Sequence, residues 1–183
     1  VIIDSKNFTG KFTLCFVGRL DNAKGVDVIL ESLKKIDLEK IEKIHFIGDS
    51  EKRIFYEKQT FFLENKAVFH GFINREQVHQ ILEKAHFLLL PSKSEGFPKV
   101  IAEAACYGVI PIVSNVGSIS HYVNESNGFL WNRNSELTFD KIMNAAFQEE
   151  VRLLENKSQN LTILAEKFTF TNYISKLEKE ILH

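Results

Sequence analysis

The sequence predicts an α/β fold, a Rossmann-like doubly wound parallel sheet with helices on both faces. Short apolar runs rich in strand-forming residues alternate with segments whose apolar residues recur at helical spacing. One run, HFLLLP at residues 86–91, is apolar at consecutive rather than alternate positions, which is typical of a strand covered on both faces. At 183 residues the chain has the length of one domain, and we interpret residues 1–183 as a single domain.

The predicted elements follow one another in strand–helix order. The first strand spans Thr13–Val17, a helix begins after Gly25, and a second strand spans Ile44–Ile47. The next elements are a helix over 51–64, a strand over 67–69, a helix opening at Asn74 with Gln77 placed for a capping box, a strand over 87–90, a helix from Pro98 to Tyr107 ended by Gly108, and a strand over 109–113. After a turn at Asn127-Gly128, helical segments are predicted from about residue 137, over 137–154, 161–168 and 173–182.

Composition excludes several classes of partner and setting. Charged residues make up 26% of the chain and the formal net charge is −1, which argues against disorder and against nucleic acid as a partner. Cys15 and Cys106 lie in apolar contexts where reduced, buried thiols are expected. The sequence has no apolar run of the roughly 18 to 20 residues that a membrane span needs. We therefore expect a cytoplasmic protein, with peripheral attachment of a longer parent to the inner face of the membrane left open.

Three segments follow predicted strands and therefore lie at one edge of the sheet. They are the loop Gly18–Gly25, the turn His70-Gly71-Phe72 and the segment Ser94–Lys99. Because open parallel sheets bind ligands at the carboxyl ends of their strands, these segments are the candidate site.

Glu95 lies at the amino end of the helix predicted from Pro98. The amides of Gly96, Phe97 and Lys99 at this helix end favour an anion. A phosphate would compete there with the Glu95 carboxylate, whereas a sugar would offer it hydroxyl groups to accept from. The alternative is an ordinary loop residue that caps the helix.

Glu103 is a lone carboxylate in a helix that is apolar almost all round. At 1.5 Å per residue it lies roughly 7 to 8 Å along the axis from the helix start, about the length of a sugar ring or a ribose step. Glu95 and Glu103 could therefore hold the two ends of one sugar nucleotide. The alternative is a solvated helix face on which Glu103 pairs with Lys99.

Two further groups complete the candidate site. Arg19 and Lys24, after Gly18, could neutralise a diphosphate and stabilise it as a leaving group, although loops commonly collect cations. The turn from Gly71 through Ile73 could lay backbone groups and the ring of Phe72 against a planar base. Its alternative is a strand end with core aromatics, since the chain has 16 phenylalanines.

Four stretches together resemble a known family. LCFVGRLDNAKGVDVILESL, FHGFI, LLLPSKSEGFPKVIAEAACYGVIPIVSNVGS and NGFLW, within Phe12–Trp131, are similar to the nucleotide-sugar-binding half of a retaining glycosyltransferase of family 4, which has the GT-B fold. The resemblance implies transfer of a hexose-type sugar from a nucleoside diphosphate to a glycan or lipid acceptor, without a bound metal. It also implies retention of anomeric configuration, with the departing phosphate helping to deprotonate the acceptor.

The resemblance also implies roles by position. Arg19 and Lys24 would hold the donor diphosphate beside Gly18, and Glu95 would meet the transferred sugar. Glu103 would bind the ribose hydroxyls. The remaining donor-binding residues would be Pro98 with the amides of Gly96, Phe97 and Lys99 at the sugar, and Gly71, Phe72 and Ile73 at the base.

The chain departs from the family pattern in three places. Asp49-Ser50 stands where a second glycine often follows Gly48, and Gly117-Ser118 then His121 stands where Gly-Gly and a glutamate are frequent. The amino-terminal domain that binds the acceptor in this family has no counterpart in 183 residues. We therefore expect a carboxy-terminal domain that binds a donor and, isolated, is inactive.

Two other function classes compete with the transferase. A non-catalytic sugar-nucleotide-binding module or pseudoenzyme would share the same binding residues. Redox chemistry with a dinucleotide is disfavoured, because no Gly-x-Gly-x-x-Gly follows the first strand.

Overall fold

The computed structural model describes residues 6–96 and 99–167. It confirms the predicted fold class, a six-stranded sheet in the order β3-β2-β1-β4-β5-β6 whose neighbouring strands are all parallel. The strands are β1 Phe12–Val17, β2 Ile41–Ile47, β3 Ala67–Gly71, β4 Phe87–Leu90, β5 Ile110–Ser114 and β6 Phe129–Trp131. The strand order reverses between β1 and β4, so these two neighbours are where the chain changes direction across the sheet.

Helices cover the sheet between the strands. They are α1 Val26–Leu33, α2 Arg53–Gln59, α3 Arg75–Lys84, α4 Lys99–Ala105, α5 Phe139–Gln148 and α6 Val151–Lys167. Short 3-10 helices span Leu38–Lys40, Phe61–Lys66 and Ile119–His121. Helix α1 packs against α5, and α4 packs against α6. Right-handed crossovers place these two pairs on opposite faces of a parallel sheet.

Burial follows the sequence pattern closely in the middle of the sheet. Every residue of β4 and β5 is buried, as expected of strands with helices on both sides. Cys15 is a fully buried free thiol on β1, and burial raises its pKa to about 12. Cys106 is also free but only partly buried. In the described ranges, no helix is long and apolar enough to cross a membrane.

Several local predictions are confirmed. The predicted bounds of β4 match the observed strand. Asn74 and Gln77 form the predicted capping box at α3, with the Gln77 amide donating to the Asn74 side chain at 2.9 Å and the Gln77 side chain accepting from the Asn74 amide at 3.1 Å. Gly108 has φ +61 after α4, the left-handed conformation expected of a helix-terminating glycine.

Other element predictions have wrong bounds or missed a strand, and one predicted helix is not tested. The single helix over 51–64 is broken, because the Thr60 hydroxyl and amide both bond the Glu57 carbonyl and end α2 at Gln59. The segment 137–154 is two helices, since Glu149 is extended. Residues 161–167 of the helix predicted over 161–168 belong to α6, and residue 168 lies outside the described residues. Strand β6 was not predicted, because three residues are too few to show a period. The helix predicted over 173–182 lies outside the described residues.

Candidate functional site

The loops that follow β1 and β4 meet at the carboxyl edge of the sheet. The Lys93 amide donates to the Ala23 carbonyl at 2.8 Å. Gly25 has φ +83, and a Cβ there would lie 2.7 Å from the carbonyl carbon of Pro91 and closer still to its oxygen. Only a glycine allows this approach, so the two loops form one surface where the strand order reverses.

Lys24 and Glu95 form an ion pair across these two loops. The Lys24 ammonium donates to Oε1 and Oε2 of Glu95 at 2.8 and 2.9 Å. The Glu95 side chain is 8% exposed and that of Lys24 is 32% exposed. The structure thus brings together two residues that the sequence assigned to neighbouring parts of one ligand, and shows that they also bind each other.

Asp21 binds two residues of the loop Gly18–Gly25 that follows β1, the β1 loop, and was missed by sequence reasoning. Its carboxylate accepts from the Lys24 amide at 2.8 Å and pairs with the guanidinium of Arg19, whose side chain is 69% exposed. Partial burial acts to raise the pKa of Asp21, but the Lys24 amide and Arg19 outweigh it and lower the pKa below its usual value. The local signal was the short spacing of Arg19, Asp21 and Lys24 in one loop.

The turns after β1, β2 and β3 form a row that begins with Gly18. The Gly18 amide donates to the Ile47 carbonyl and the Gly48 amide donates to the Gly71 carbonyl, each at 2.9 Å. A Cβ on Gly48 would lie 2.9 Å from the Gly18 carbonyl carbon, and Gly48 has φ +127. Close backbone contact therefore links the loop Gly18–Gly25, predicted to bind the diphosphate, to the turn from Gly71 through Ile73, the predicted base turn.

Arg53 packs against the predicted base turn. Its guanidinium donates to the Phe69 carbonyl at 3.1 Å and lies 3.6 Å from the Asp49 carboxylate. Gly71 has φ +68, a left-handed conformation that favours glycine, and a Cβ there would also lie 2.5 Å from Nη1 at the movable end of the Arg53 side chain. Phe72 is 86% exposed at the tip of this turn, so its ring is not a core aromatic.

Departure from the family pattern after Gly48 has a structural role. Ser50 donates its hydroxyl to the Leu20 carbonyl at 2.6 Å, while Asp49 faces Arg53. The two polar residues thus join the β1 loop to the base turn.

Glu103 lies one turn inside α4 and is half-buried. Within the described residues it makes no hydrogen bond or ion pair, and Lys99, which is exposed, does not pair with it. The alternative of a Lys99–Glu103 surface pair is therefore not supported by this structure. Burial raises the pKa of the Cys106 thiol, and the nearby Glu103 carboxylate raises it further.

The predicted helix start falls partly outside the described residues. Phe97 and Pro98 are not described, and α4 is described from Lys99 onward. Gly96, just before them, is exposed, as a backbone donor for a ligand must be.

Arg133 binds the loop after β4, residues 91–96, which we call the β4 loop, and sequence reasoning also missed it. It donates to the Pro91 carbonyl at 2.7 Å, and its guanidinium lies 4.9 Å from the ring centroid of Trp131. Arg133 follows β6, so it could be placed at the site only once that strand was known.

Across the described ranges, no group of three or more His, Cys, Asp or Glu side chains could hold a metal ion. Independence from metal stays a prediction.

Residues 2–178 match the sequence profile of the family described as glycosyl transferases group 1. The chain belongs to this family. Among curated relatives, this glycosyltransferase domain is 32% identical over 115 residues to an uncharacterized 41.2 kDa protein in the cps region of Klebsiella pneumoniae, covering 63% of this chain and 31% of that one. It is 27% identical over 169 residues to an uncharacterized glycosyltransferase of Methanocaldococcus jannaschii, covering 90% of this chain and 46% of the other. The glycosyltransferase domain thus spans less than half the length of these two relatives.

Solved structures of glycosyltransferases share the fold of this glycosyltransferase domain. The Anabaena HepE protein in complex with UDP-glucose superposes with a TM-score of 0.77 at 20% identity, over 96% of this chain and 49% of that one. At that identity the likeness shows the fold, half of a GT-B architecture.

Proposed function

We propose that this chain is the donor-binding domain of a retaining family 4 glycosyltransferase that moves a hexose-type sugar from a nucleoside diphosphate to a glycan or lipid acceptor. The observation that carries the proposal is the Lys24–Glu95 contact at 2.8 Å, which joins the loops after β1 and β4. It lies where the strand order reverses, the ligand-binding position of doubly wound sheets.

Lys24 and Arg19 supply positive charge for the donor diphosphate. An ammonium has three N–H donors, and Lys24 directs bonds to two carboxylate oxygens, which leaves a donor for a phosphate oxygen. Arg19 is 69% exposed, so its guanidinium can turn from Asp21 toward a ligand at little cost. Both cations stabilise the diphosphate as it leaves.

The sugar and nucleoside portions are assigned to the remaining residues. At the transferred sugar, the Glu95 carboxylate accepts hydrogen bonds from hydroxyl groups. The amides of Gly96 and Lys99 donate hydrogen bonds to sugar oxygens. Glu103 is half-buried and unpartnered within the described residues, so ribose hydroxyls would supply the hydrogen bonds that its carboxylate lacks. The exposed ring of Phe72 is free to lie against the base.

The proposed transfer retains the configuration at the anomeric carbon. The bond from that carbon to the diphosphate oxygen breaks and its electron pair leaves with the phosphate. The acceptor hydroxyl oxygen bonds to the same face of the sugar, and its proton passes to the departing phosphate. Arg19 and Lys24 lower the barrier by neutralising the charge that develops on that phosphate.

An acceptor-binding domain in the same polypeptide completes the proposed enzyme. The greater length of the relatives supports it, because the chain covers only 31% and 46% of the two described above. Without that domain we expect donor binding and no transfer. The cytoplasmic location and any peripheral membrane attachment of the whole protein stay predictions.

Isothermal titration calorimetry with UDP, GDP and dTDP tests the proposal. We expect one nucleotide to bind, and Glu103→Ala to weaken it about tenfold, because a charge-assisted hydrogen bond is lost. The matched control is Glu155→Ala, which removes an exposed glutamate from α6. Glu103→Ala should hardly change the affinity for the 2′,3′-dideoxy form of the nucleotide, since that ligand has no ribose hydroxyls for Glu103 to bind. Absence of binding by all three nucleotides would contradict the proposal.

The full-length protein separates an enzyme from a binding module. A transferase should lose at least a hundredfold in turnover with Lys24→Ala. A protein that binds the sugar nucleotide yet neither transfers nor hydrolyses the sugar with any acceptor supplied is instead the non-catalytic module.

A further inference from the structure

The turn after β5 presses directly on the loop that carries Glu95. Gly117 has φ +58, and a Cβ there would lie 3.0 Å from the Glu95 carbonyl carbon and closer still to its oxygen. The Ser118 hydroxyl donates to the Gly96 carbonyl at 2.8 Å. Two successive carbonyl groups, those of Glu95 and Gly96, therefore lie against this turn. The first closely approaches Gly117, and the second accepts a hydrogen bond from Ser118.

These contacts set the orientation of the peptide group between Glu95 and Gly96. In a trans peptide the C=O and N–H point in opposite directions. Because the Glu95 carbonyl points at Gly117, the Gly96 N–H points away from the turn. The Glu95 side chain is held at its other end by Lys24, at 2.8 Å.

No side chain can occupy position 117 without moving this peptide group. The nearest obstacle is backbone, which cannot rotate aside as a flexible side chain could. Glycine often stands at position 118 in the family pattern, so the hydrogen bond from the Ser118 hydroxyl is a feature that this chain adds to the pattern.

We propose that Gly117 and Ser118 are positioning residues for the sugar portion of the donor. They hold the Glu95 carboxylate and the Gly96 N–H where a hexose is recognised, and they do not touch the nucleoside diphosphate. This inference rests on the proposed function, and it predicts that substitutions here separate sugar recognition from nucleotide recognition.

Calorimetry on the 183-residue chain tests this separation. The ligands are UDP and whichever of UDP-glucose and UDP-N-acetylglucosamine binds more tightly. If GDP or dTDP is the nucleotide that binds, it and its own sugar nucleotides replace UDP in the same titrations. We expect Gly117→Ala to weaken the sugar nucleotide at least tenfold and UDP less than twofold. The matched control is Gly10→Ala, which imposes a similar backbone cost at φ +93 but has no atom within 4 Å of the added Cβ. It should change neither affinity.

Ser118 provides a second pair of variants that leave the backbone conformation alone. Ser118→Ala removes one neutral hydrogen bond, and we expect the sugar nucleotide to bind about threefold to tenfold more weakly with UDP unchanged. Ser118→Thr keeps the hydroxyl and should restore sugar-nucleotide binding. Ser118 is partly exposed, and neither variant adds backbone strain, so this pair decides the matter if thermal denaturation shows that Gly117→Ala is unfolded.

The outcomes distinguish the two proposals. If the unsubstituted chain binds none of UDP, GDP, dTDP and the sugar nucleotides, the proposed function fails. If it binds UDP but the Ser118 and Gly117 variants weaken both ligands equally, or neither ligand, donor binding stands and the positioning role is wrong. If UDP binds but none of UDP-glucose, UDP-galactose and UDP-N-acetylglucosamine does, the positioning role is also overturned, because the site then accommodates no hexose on the diphosphate.

Discussion

Glu95→Gln removes a negative charge beside Lys24 and keeps the shape of the side chain. The Lys24 ammonium lies 2.8 Å from the carboxylate, and a phosphate oxygen on the same ammonium would lie about 2.8 Å beyond it, so the two anions would be at most about 5.6 Å apart. Two unit charges at that separation repel by about 0.7 kcal/mol in water and about 3 kcal/mol at an effective dielectric constant of 20. Since Lys24 is 32% exposed, we take about 1 kcal/mol. UDP should therefore bind about fivefold more tightly to Glu95→Gln.

Calorimetric titration with UDP measures this effect. Lys24→Met should have the opposite sign and weaken UDP about tenfold or more, because it removes the cation itself. Glu31→Gln is the matched control, since Glu31 is also paired with a lysine, Lys34 at 2.7 Å, but lies exposed on α1. That control should leave UDP affinity unchanged. At 1 M salt the gain from Glu95→Gln should shrink, because the Debye length falls to about 3 Å.

The sign of the change decides the outcome. If Glu95→Gln weakens UDP as much as Lys24→Met does, then Glu95 serves to hold Lys24 in place and does not compete with the diphosphate. That result would rule out electrostatic competition between Glu95 and the diphosphate, whatever the size of the effect.

Three further predictions concern stability, each measured by urea unfolding. Burial, followed by the neighbouring His70, lowers the pKa of His45 to about 4. The unfolded state therefore binds more protons between about pH 6.5 and 4, so stability is complete above this range and about 1 to 2 kcal/mol is lost below it, after allowance for the half-exposure of His45. His45→Gln should flatten that acid limb between pH 7.5 and 5. Gly25→Ala should cost at least about 2 kcal/mol, because it adds left-handed strain and an overlap with Pro91. Asn127→Ala should cost about 2 to 3 kcal/mol, because this buried side chain bonds two backbone groups, at 2.8 and 2.9 Å.

Sequence reasoning succeeded where the cause of a structure is local. Four consecutive large apolar residues at 87–90, ended by Pro91, indicate a strand buried on both faces, and the predicted bounds are the observed ones. The Asn74–Gln77 capping box needs only a spacing of three residues. The helix over 51–64 failed for an equally local reason, because the competing bond from Thr60 to Glu57 does not show in apolar periodicity.

The sequence by itself determined the α/β alternation, the family and the set of candidate donor-binding residues, because apolar periods and short motifs are properties of neighbouring residues. Only the tertiary structure decided which of those residues meet. Lys24 and Glu95 are 71 positions apart, and they pair because β1 and β4 are adjacent at the reversal of strand order. Gly117 and Arg133 reach the same loop for the same reason, from the ends of β5 and β6. Strand order depends on the packing of all the helices at once, so no short stretch of sequence contains it.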